Sequence, residues 1–478
     1  MPRSITRNIV SLGTAQVVSK VLMYAFLILI TRSLGSELLG TFAYLFNLIV
    51  ILDVVIDYGM TPYMVKTIAG DKGQSAIYFV CPLLIKYSLA VVFASGVLLY
   101  GFLIEPDPVK QNAMEYVVLV LFTWPLFNSV ISVFQAYERQ DLYGIMYIIR
   151  NGILLIITYI FLSRGMDVSA PLLGYATAFI ISALTGIFWI QKRFFAISGT
   201  GRIEFSKITG LLGSGLPFFI STFITALYLR IDILMLSWIR GDMETGLFKA
   251  SQQILEGLLL IPFVVGNTIF PVLSRIVTED KEQFVEIYKK SVKFLLFLVL
   301  PIAAFITLTA KDVIGIMYGL EEYSGSIVAL QLLAWYLLPN YMNYLNLYSL
   351  YAYNKQKKVL IVIFIGFLCK VGLILLLVPS LGYIGSCYTG IAAECIILLG
   401  YSYYGKKSFA RHFPWKDSFR IAAASVVMFI VLRLIMPYIS FWLQIPFALL
   451  IYSAAVFITR SISINEVKSV VSSIAKSR

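Results

Sequence analysis

The chain has 478 residues, 59% of them hydrophobic and only 13% charged, with a mean hydropathy of +0.87. A soluble domain has too little interior to hide that much apolar surface, so the composition describes a polytopic membrane protein. The net charge of +13 sits in short basic loops without a Gly-rich phosphate loop, which points to membrane topology and anionic lipid headgroups rather than to nucleic acid.

In chain order, about fourteen apolar stretches of roughly 20 residues recur, centred near residues 20, 50, 92, 125, 152, 180, 224, 258, 300, 340, 370, 393, 427 and 450. The first, Asn8 to Thr31, is longer than a signal-peptide core and has no small-residue cleavage site, so it reads as a retained span. An even count puts both termini on one side. With the N-terminus cytoplasmic, the inner loops hold about 26 Lys and Arg and the outer ones about 5, which orients the chain in the cell (inner or plasma) membrane. The inner clusters include Lys192/Arg193, Lys289/Lys290/Lys293, Lys355/Lys357/Lys358 and Lys406/Lys407/Arg411. The longest outer loop, about 14 residues at 311–324, is too short to fold as a domain. The tail carries Ser463 and Glu466 at capping-box spacing, then Val467, Val470, Val471 and Ile474 on one face, as either a membrane-surface helix or a frayed end. Cys81, Cys369, Cys387 and Cys395 lack metal spacing and read as reduced thiols; no cofactor is implied.

The chain repeats itself. SELLGTFAYLFNLI (36–49) and DMETGLFKASQQIL (242–255) align Gly40 with Gly246 and Phe42 with Phe248, each opening the second span of its half. Six spans fit into the shift, so the halves share one orientation and make a parallel repeat. The expected fold is therefore an all-α polytopic membrane protein of about 14 transmembrane helices. It has two six-helix lobes, 1–200 and 201–410, and a C-terminal segment, 411–478, with spans 13 and 14 and the tail.

Charges inside spans are costly, about 2.5 to 3.5 kcal/mol each at a helix centre, so each must snorkel, pair or face water. The cations are Lys20, Lys86, Arg150, Arg230, Lys249, Lys370 and Arg433; the acids are Asp53, Asp57, Asp232, Glu256 and Glu394. Lys249, Gln252, Gln253 and Glu256 make one polar helix face, with Asn267 at the same azimuth further on. Tyr143, Tyr147, Arg150 and Asn151 repeat the pattern in span 5, and Gln16, Ser19 and Lys20 form a smaller patch in span 1. These stripes imply a shared hydrated cavity or, alternatively, interhelical pairing. In YLRIDILML (228–236), Arg230 and Asp232 differ by about 200° in azimuth, so only one faces a cavity. Arg230 is the candidate, because a guanidinium forks onto phosphate and keeps its charge when desolvated.

Asp53 and Asp57, at i and i+4, invite a shared proton or a cation, whereas Asp57 in IDYGMTP could merely order a helix end. Glu256 is the third ion-coupling candidate. The Asn340, Asn343, Asn346 and tyrosine stripe of span 10 suits either sugar binding or packing. Lys86, Lys370 and Arg433 lack evident polar neighbours and are expected to snorkel.

The fourteen spans, the TRSLGSELLGTF that ends the first helix, the DYG at Asp57 to Gly59 and YLRIDILML in the seventh together resemble the polysaccharide-transport flippases of Wzx type, within the multidrug/oligosaccharidyl-lipid/polysaccharide exporter superfamily. The resemblance implies alternating access by two lobes, a cationic cavity, a polyprenyl-diphosphate-linked oligosaccharide moved from the inner to the outer leaflet, and use of a proton or sodium gradient or the membrane potential. A glycan polymerase is the partner such a pathway implies, and catalysis is not expected. The residues agree on the sign of the cargo: Arg230, Lys249, Lys20 and Arg150, with Gln252, Gln253, Gln16 and Asn151, supply cations and amide donors. The alternatives are a cation-coupled drug or small-molecule antiporter, which calls for an acidic aromatic cavity, and a membrane enzyme, which calls for outer catalytic groups that the short loops lack.

Overall fold

A computed structural model describes residues 2–196 and 205–459, with side chains at 15–196, 211 and 213–459. The regular structure there is helical throughout. The helices are α1 (Pro2–Asp57), α2 (Met60–Gly70), α3 (Ser75–Leu103), α4 (Pro108–Ala136), α5 (Gln140–Ser163), α6 (Ser169–Arg193), α7 (Phe205–Arg240) and α8 (Asp242–Glu256). They continue as α9 (Leu260–Glu279), α10 (Lys281–Met317), α11 (Leu320–Tyr323), α12 (Ser326–Ala352), α13 (Gln356–Leu381), α14 (Tyr383–Gly405), α15 (Trp415–Ile435) and α16 (Phe441–Thr459).

Among the described residues, twelve helices are long and apolar enough to cross a membrane. One of them, α1, holds two arms, because Gly35 breaks it at φ 74°, a conformation without penalty for glycine alone. α12 is diluted by its Asn and Tyr but has 27 residues, about 40 Å of helix. The arrangement is consistent with fourteen crossings.

The chain forms two compact units. The first runs through Ser237 and takes in Gly241–Gly246; the second holds Trp238–Arg240 and everything from Leu247. In the first, α1 lies along α5 and α4 along α6. An aromatic column fixes their register: Phe46 meets Tyr175 at 4.8 Å between ring centroids, and Trp124 meets Phe179 at 4.9 Å. Lipid solvates the outer surface, so these buried rings hold the helices by contact and shape more than by the hydrophobic effect.

The repeat-related glycines of the first unit touch one another. A Cβ on Gly40 would strike the Asp242 carbonyl, and one on Gly246 would strike the Ser36 carbonyl. Position 36 corresponds to 242 and 40 to 246, so the contact is reciprocal, as about a local two-fold axis. Asp242 reinforces it by accepting from Thr41 Oγ1 at 2.7 Å and pairing with Lys110 Nζ at 3.0 Å.

In the second unit α12 lies between α10 and α14, and the α15–α16 pair rests on α10. Met428, Leu432, Tyr452 and Val456 close over Ala304, and the Tyr452 hydroxyl donates to Phe297 O at 2.9 Å. The stripe expected to run from Lys249 to Asn267 on one helix is interrupted: α8 ends at Glu256, and α9 starts at Leu260. Gly257 weakens the helix there, and the Tyr341 hydroxyl takes the Leu258 carbonyl at 2.7 Å. The tail segment Ser463 to Ile474 lies outside the described residues. All four cysteines are free thiols.

Candidate functional site

The chain breaks at Tyr58 and Gly59, where φ is 46° and 73°. Gly59 is required twice over, since its conformation is left-handed and a Cβ would meet the Gly215 carbonyl of α7. The break turns Asp57 toward the start of α2, where its carboxylate accepts from the Thr61 backbone N–H at 3.2 Å and from the Thr61 hydroxyl. From two residues before the N-cap, Gly59, Asp57 thus satisfies a free N–H at the start of α2, a helix-end ordering role of the kind the sequence allowed.

Asp57 does more than order a helix end. Lys86 of α3, fully buried, places Nζ 2.8 Å from Asp57 Oδ1, 2.9 Å from Thr61 Oγ1 and 3.2 Å from Ser129 Oγ of α4. The expectation that Lys86 snorkels is wrong. It lies eleven residues into α3, about 17 Å of helix, and its three partners come from α1, α2 and α4, which no local pattern reveals. Lys370, also expected to snorkel, is likewise buried, on α13, whereas Arg433 is exposed in the last turn of α15.

One helical turn before Asp57, Asp53 is buried and accepts from Asn128 Nδ2 at 3.3 Å. The two aspartates border a cavity of about 330 Å³ whose polar lining includes Asn128, Gln135, Tyr143, Tyr147 and Thr222. The structure thus joins Asp53, Asp57 and the span 5 tyrosines around one space. Of these, Asn128, Gln135 and Thr222 escaped the sequence reading, although Asn128, Ser132 and Gln135 lie at i, i+4 and i+7 on α4, a polar stripe that was the signal to find two of them. The cavity has oxygen ligands, a fixed cation beside one of them and room for water, the elements of a proton or small-cation site.

Further along α5, Arg150 stacks on aromatic rings, 4.8 Å from the Tyr147 centroid and 5.7 Å from those of Phe127 and Phe179. Its Nε and Nη2 both donate to Asn151 Oδ1, at 2.9 and 2.6 Å, and Asn151 Nδ2 in turn donates to Ser19 O and Oγ at 2.7 and 2.8 Å. Asn151 therefore joins α5 to α1 and steadies Arg150. Gln16 and Lys20 stand exposed on the same arm of α1. On α7, Arg230 is half-buried and donates to Asn47 Oδ1 at 3.3 Å, while Asp232 is buried on the other side of the helix, as their azimuths require. Among the described residues, neither Arg150 nor Arg230 has a carboxylate partner.

In the second unit, Lys249 pairs with Glu256 at 2.7 Å along α8, and Gln253 is buried beside them. The α12 stripe mostly joins helices. Asn343 Nδ2 donates to Glu394 Oε2 at 2.7 Å, the Tyr336 hydroxyl to Glu394 Oε1 at 3.1 Å, and the Tyr288 hydroxyl to Asn346 Oδ1 at 2.9 Å. The buried amide oxygens of Gln252, Asn340 and Asn343 have no protein donor among the described residues, which leaves acceptor capacity for water or hydroxyls.

Helices broken at Gly35, Gly59 and Gly257, with charge and amides held inside the spans, are features of a membrane transporter. The chain belongs to the polysaccharide biosynthesis protein family, whose model matches residues 5–277; the MatE model matches 217–376. It is 25% identical over 319 residues to a "Putative O-antigen transporter" of Shigella dysenteriae, covering 65% of this chain and 76% of that one. It is 21% identical over 407 residues to a protein of the same name from Escherichia coli (strain K12), covering 82% and 95%. In fold it resembles the lipid II flippase MurJ in an inward closed conformation, with TM-score 0.77, 16% identity and coverage of 94% of this chain and 98% of that one. It also resembles an inward-facing multidrug resistance MATE family transporter, with TM-score 0.68, 17% identity and coverage of 85% and 98%.

Proposed function

We propose that the protein is a flippase that carries polyprenyl-diphosphate-linked oligosaccharide from the inner to the outer leaflet of the cell membrane, by alternating access, for cell-surface polysaccharide synthesis. The observation that carries this reading is the pair of intramembrane guanidiniums, Arg150 and Arg230, held by amides, and Arg150 by aromatic rings as well, with no acid beside them among the described residues. A diphosphate supplies the missing negative charge, and the guanidinium fork matches its oxygens. In the first unit Lys20 and Gln16 complete the proposed cargo set and Asn151 positions Arg150; in the second, Gln252, Gln253 and, once Glu256 releases it, Lys249 are the candidates. Relatives named for O-antigen transport and a flippase fold support the same reading.

Asp53 and Asp57 are the proposed coupling groups, with a proton or sodium ion taken up at Asp53, since Lys86 already neutralises Asp57. Glu256, tied to Lys249, is the candidate in the second unit. The proposal places both termini in the cytoplasm, treats 1–200 and 201–410 as the moving lobes, and names a glycan polymerase as the consumer of the product.

The test is the leaflet distribution of the diphosphate-linked glycan in cells lacking the protein, complemented with wild type or Arg230→Ala. Accumulation on the inner leaflet, cleared by wild type and not by a well-expressed Arg230→Ala, is expected. An unchanged pool and sidedness in the deletion strain would overturn the reading and favour a cation-coupled drug antiporter.

A further inference from the structure

The second unit contains another cavity, of about 530 Å³, where α10, α12 and α14 meet the 406–414 segment and the start of α15. Its walls are apolar, with Leu296, Leu338, Met342 and Leu398 among them. Two of the polar groups on it are already engaged: Tyr288 donates to Asn346, and Ser418 Oγ donates to Pro414 O at 2.9 Å. Leu399, Trp415 and Phe419 also line it, yet are 71%, 65% and 70% exposed, so the space opens sideways onto the bilayer.

The 406–420 segment that runs along this cavity is mostly basic. Lys406, Lys407, Arg411 and Lys416 are exposed. The sole acid from 406 to 420, Asp417, is held by Lys293 at 2.9 Å and faces Arg420 at 3.8 Å. An apolar slot beside a cationic rim fits a ligand with an alkyl chain and an anionic head, the combination by which basic pockets between transmembrane helices hold lipid headgroups.

We propose that this cavity binds an anionic phospholipid, with one acyl chain in the slot and the phosphate among Lys406, Lys407, Arg411 and Lys416. Its walls come from α10, α12 and α14 on one side and from α15 on the other, so the bound chain braces the α15–α16 pair against the rest of the unit. Trp415, Ser418, Phe419 and Ala422 occupy i, i+3, i+4 and i+7, the single face of α15 that the chain covers. The site is independent of the cargo reading; with the proposed orientation it lies in the inner leaflet.

The test uses the full-length protein in phosphatidylcholine nanodiscs doped with chain-brominated phosphatidylglycerol. Quenching of Trp415 is read as the difference from Trp415→Phe. Quenching should saturate at a mole fraction at least about fivefold lower than with brominated phosphatidylcholine, the preference that one well-placed Lys or Arg provides. Ala422→Phe, which occupies the slot, should bring quenching down to the phosphatidylcholine level. Lys407→Gln/Arg411→Gln, two exposed changes that leave the core alone, should abolish the headgroup preference. Equal quenching by the two brominated lipids at every mole fraction, or a preference that survives both variants, would overturn the proposal and leave only annular lipid.

Discussion

Replacing Lys86 with methionine keeps much of the side-chain volume and removes the charge from a site that is 0% exposed. At the 2.8 Å separation from Asp57, and an effective dielectric of about 20, the attraction is about 6 kcal/mol before desolvation is counted. Breaking one partner of a buried pair costs about 3–5 kcal/mol, because the other charge is left behind. Asp57 retains 17% exposure and can recruit water from the adjoining cavity, so the low end, about 3 kcal/mol, is expected. For a unit of this size that is a drop of about 6–12 °C in the unfolding midpoint in detergent micelles. Lys86→Met/Asp57→Asn removes both charges and should recover most of the loss, as replacing a buried pair by neutral groups of similar size is often close to neutral. A Lys86→Met protein that melts within about 2 °C of wild type, or a double variant no better than the single one, would show that the pair does not hold α1, α2 and α3 together.

Gly246→Ala should lower stability by about 1–3 kcal/mol, since its Cβ would meet the Ser36 carbonyl; Gly372→Ala on α13, with nothing within 4 Å, should be neutral or slightly stabilising, and thermal melts of the two check the contrast. Arg150→Lys keeps the charge but loses the two-pronged bond to Asn151 and the ring stacking, so flux should fall about tenfold or more with little change in melting, as a reconstituted transport assay would show. Asp53→Asn should insert and fold yet lose the dependence of flux on a proton or sodium gradient. An unchanged gradient response in proteoliposomes would leave Asp53 a structural partner of Asn128.

What was legible in the sequence was whatever one helix encodes by itself. Hydropathy marked the spans, the SELLG and DMETG segments announced their kinship, and the two-residue spacing put Arg230 and Asp232 on different faces. The glycines of those segments meet because a repeat brings equivalent positions to a symmetric contact, which alignment can anticipate. Lys86 was missed because its partners come from three other elements. The Lys249–Asn267 stripe was over-extended because azimuth arithmetic assumes a continuous helix, and Gly257 with the Tyr341 bond ends it. The α12 stripe looked like sugar ligands or packing, and Glu394 and Tyr288, distant in sequence, draw Asn343 and Asn346 into helix contacts.

The partner of each intramembrane cation separates two roles that residue type alone does not. Lys86 and Lys249 meet carboxylates at 2.8 and 2.7 Å, so each pair is neutral and adds little field at a distance. Arg150 and Arg230 are held by amide oxygens, and Arg150 by ring faces as well, which orient a guanidinium without cancelling its charge. An acid at either place would compete with an anionic cargo for the same fork of N–H groups, and a bare apolar surround would make the charge too costly to retain. Amide and aromatic ligation is the intermediate arrangement: it lowers the cost of burial while leaving a net positive site. Lysine suits the neutral pairs, because a compact ammonium reaches several oxygens at once, as Lys86 does with Asp57, Thr61 and Ser129. Arginine suits the open sites, because its planar fork can keep one edge on the protein and present another to phosphate.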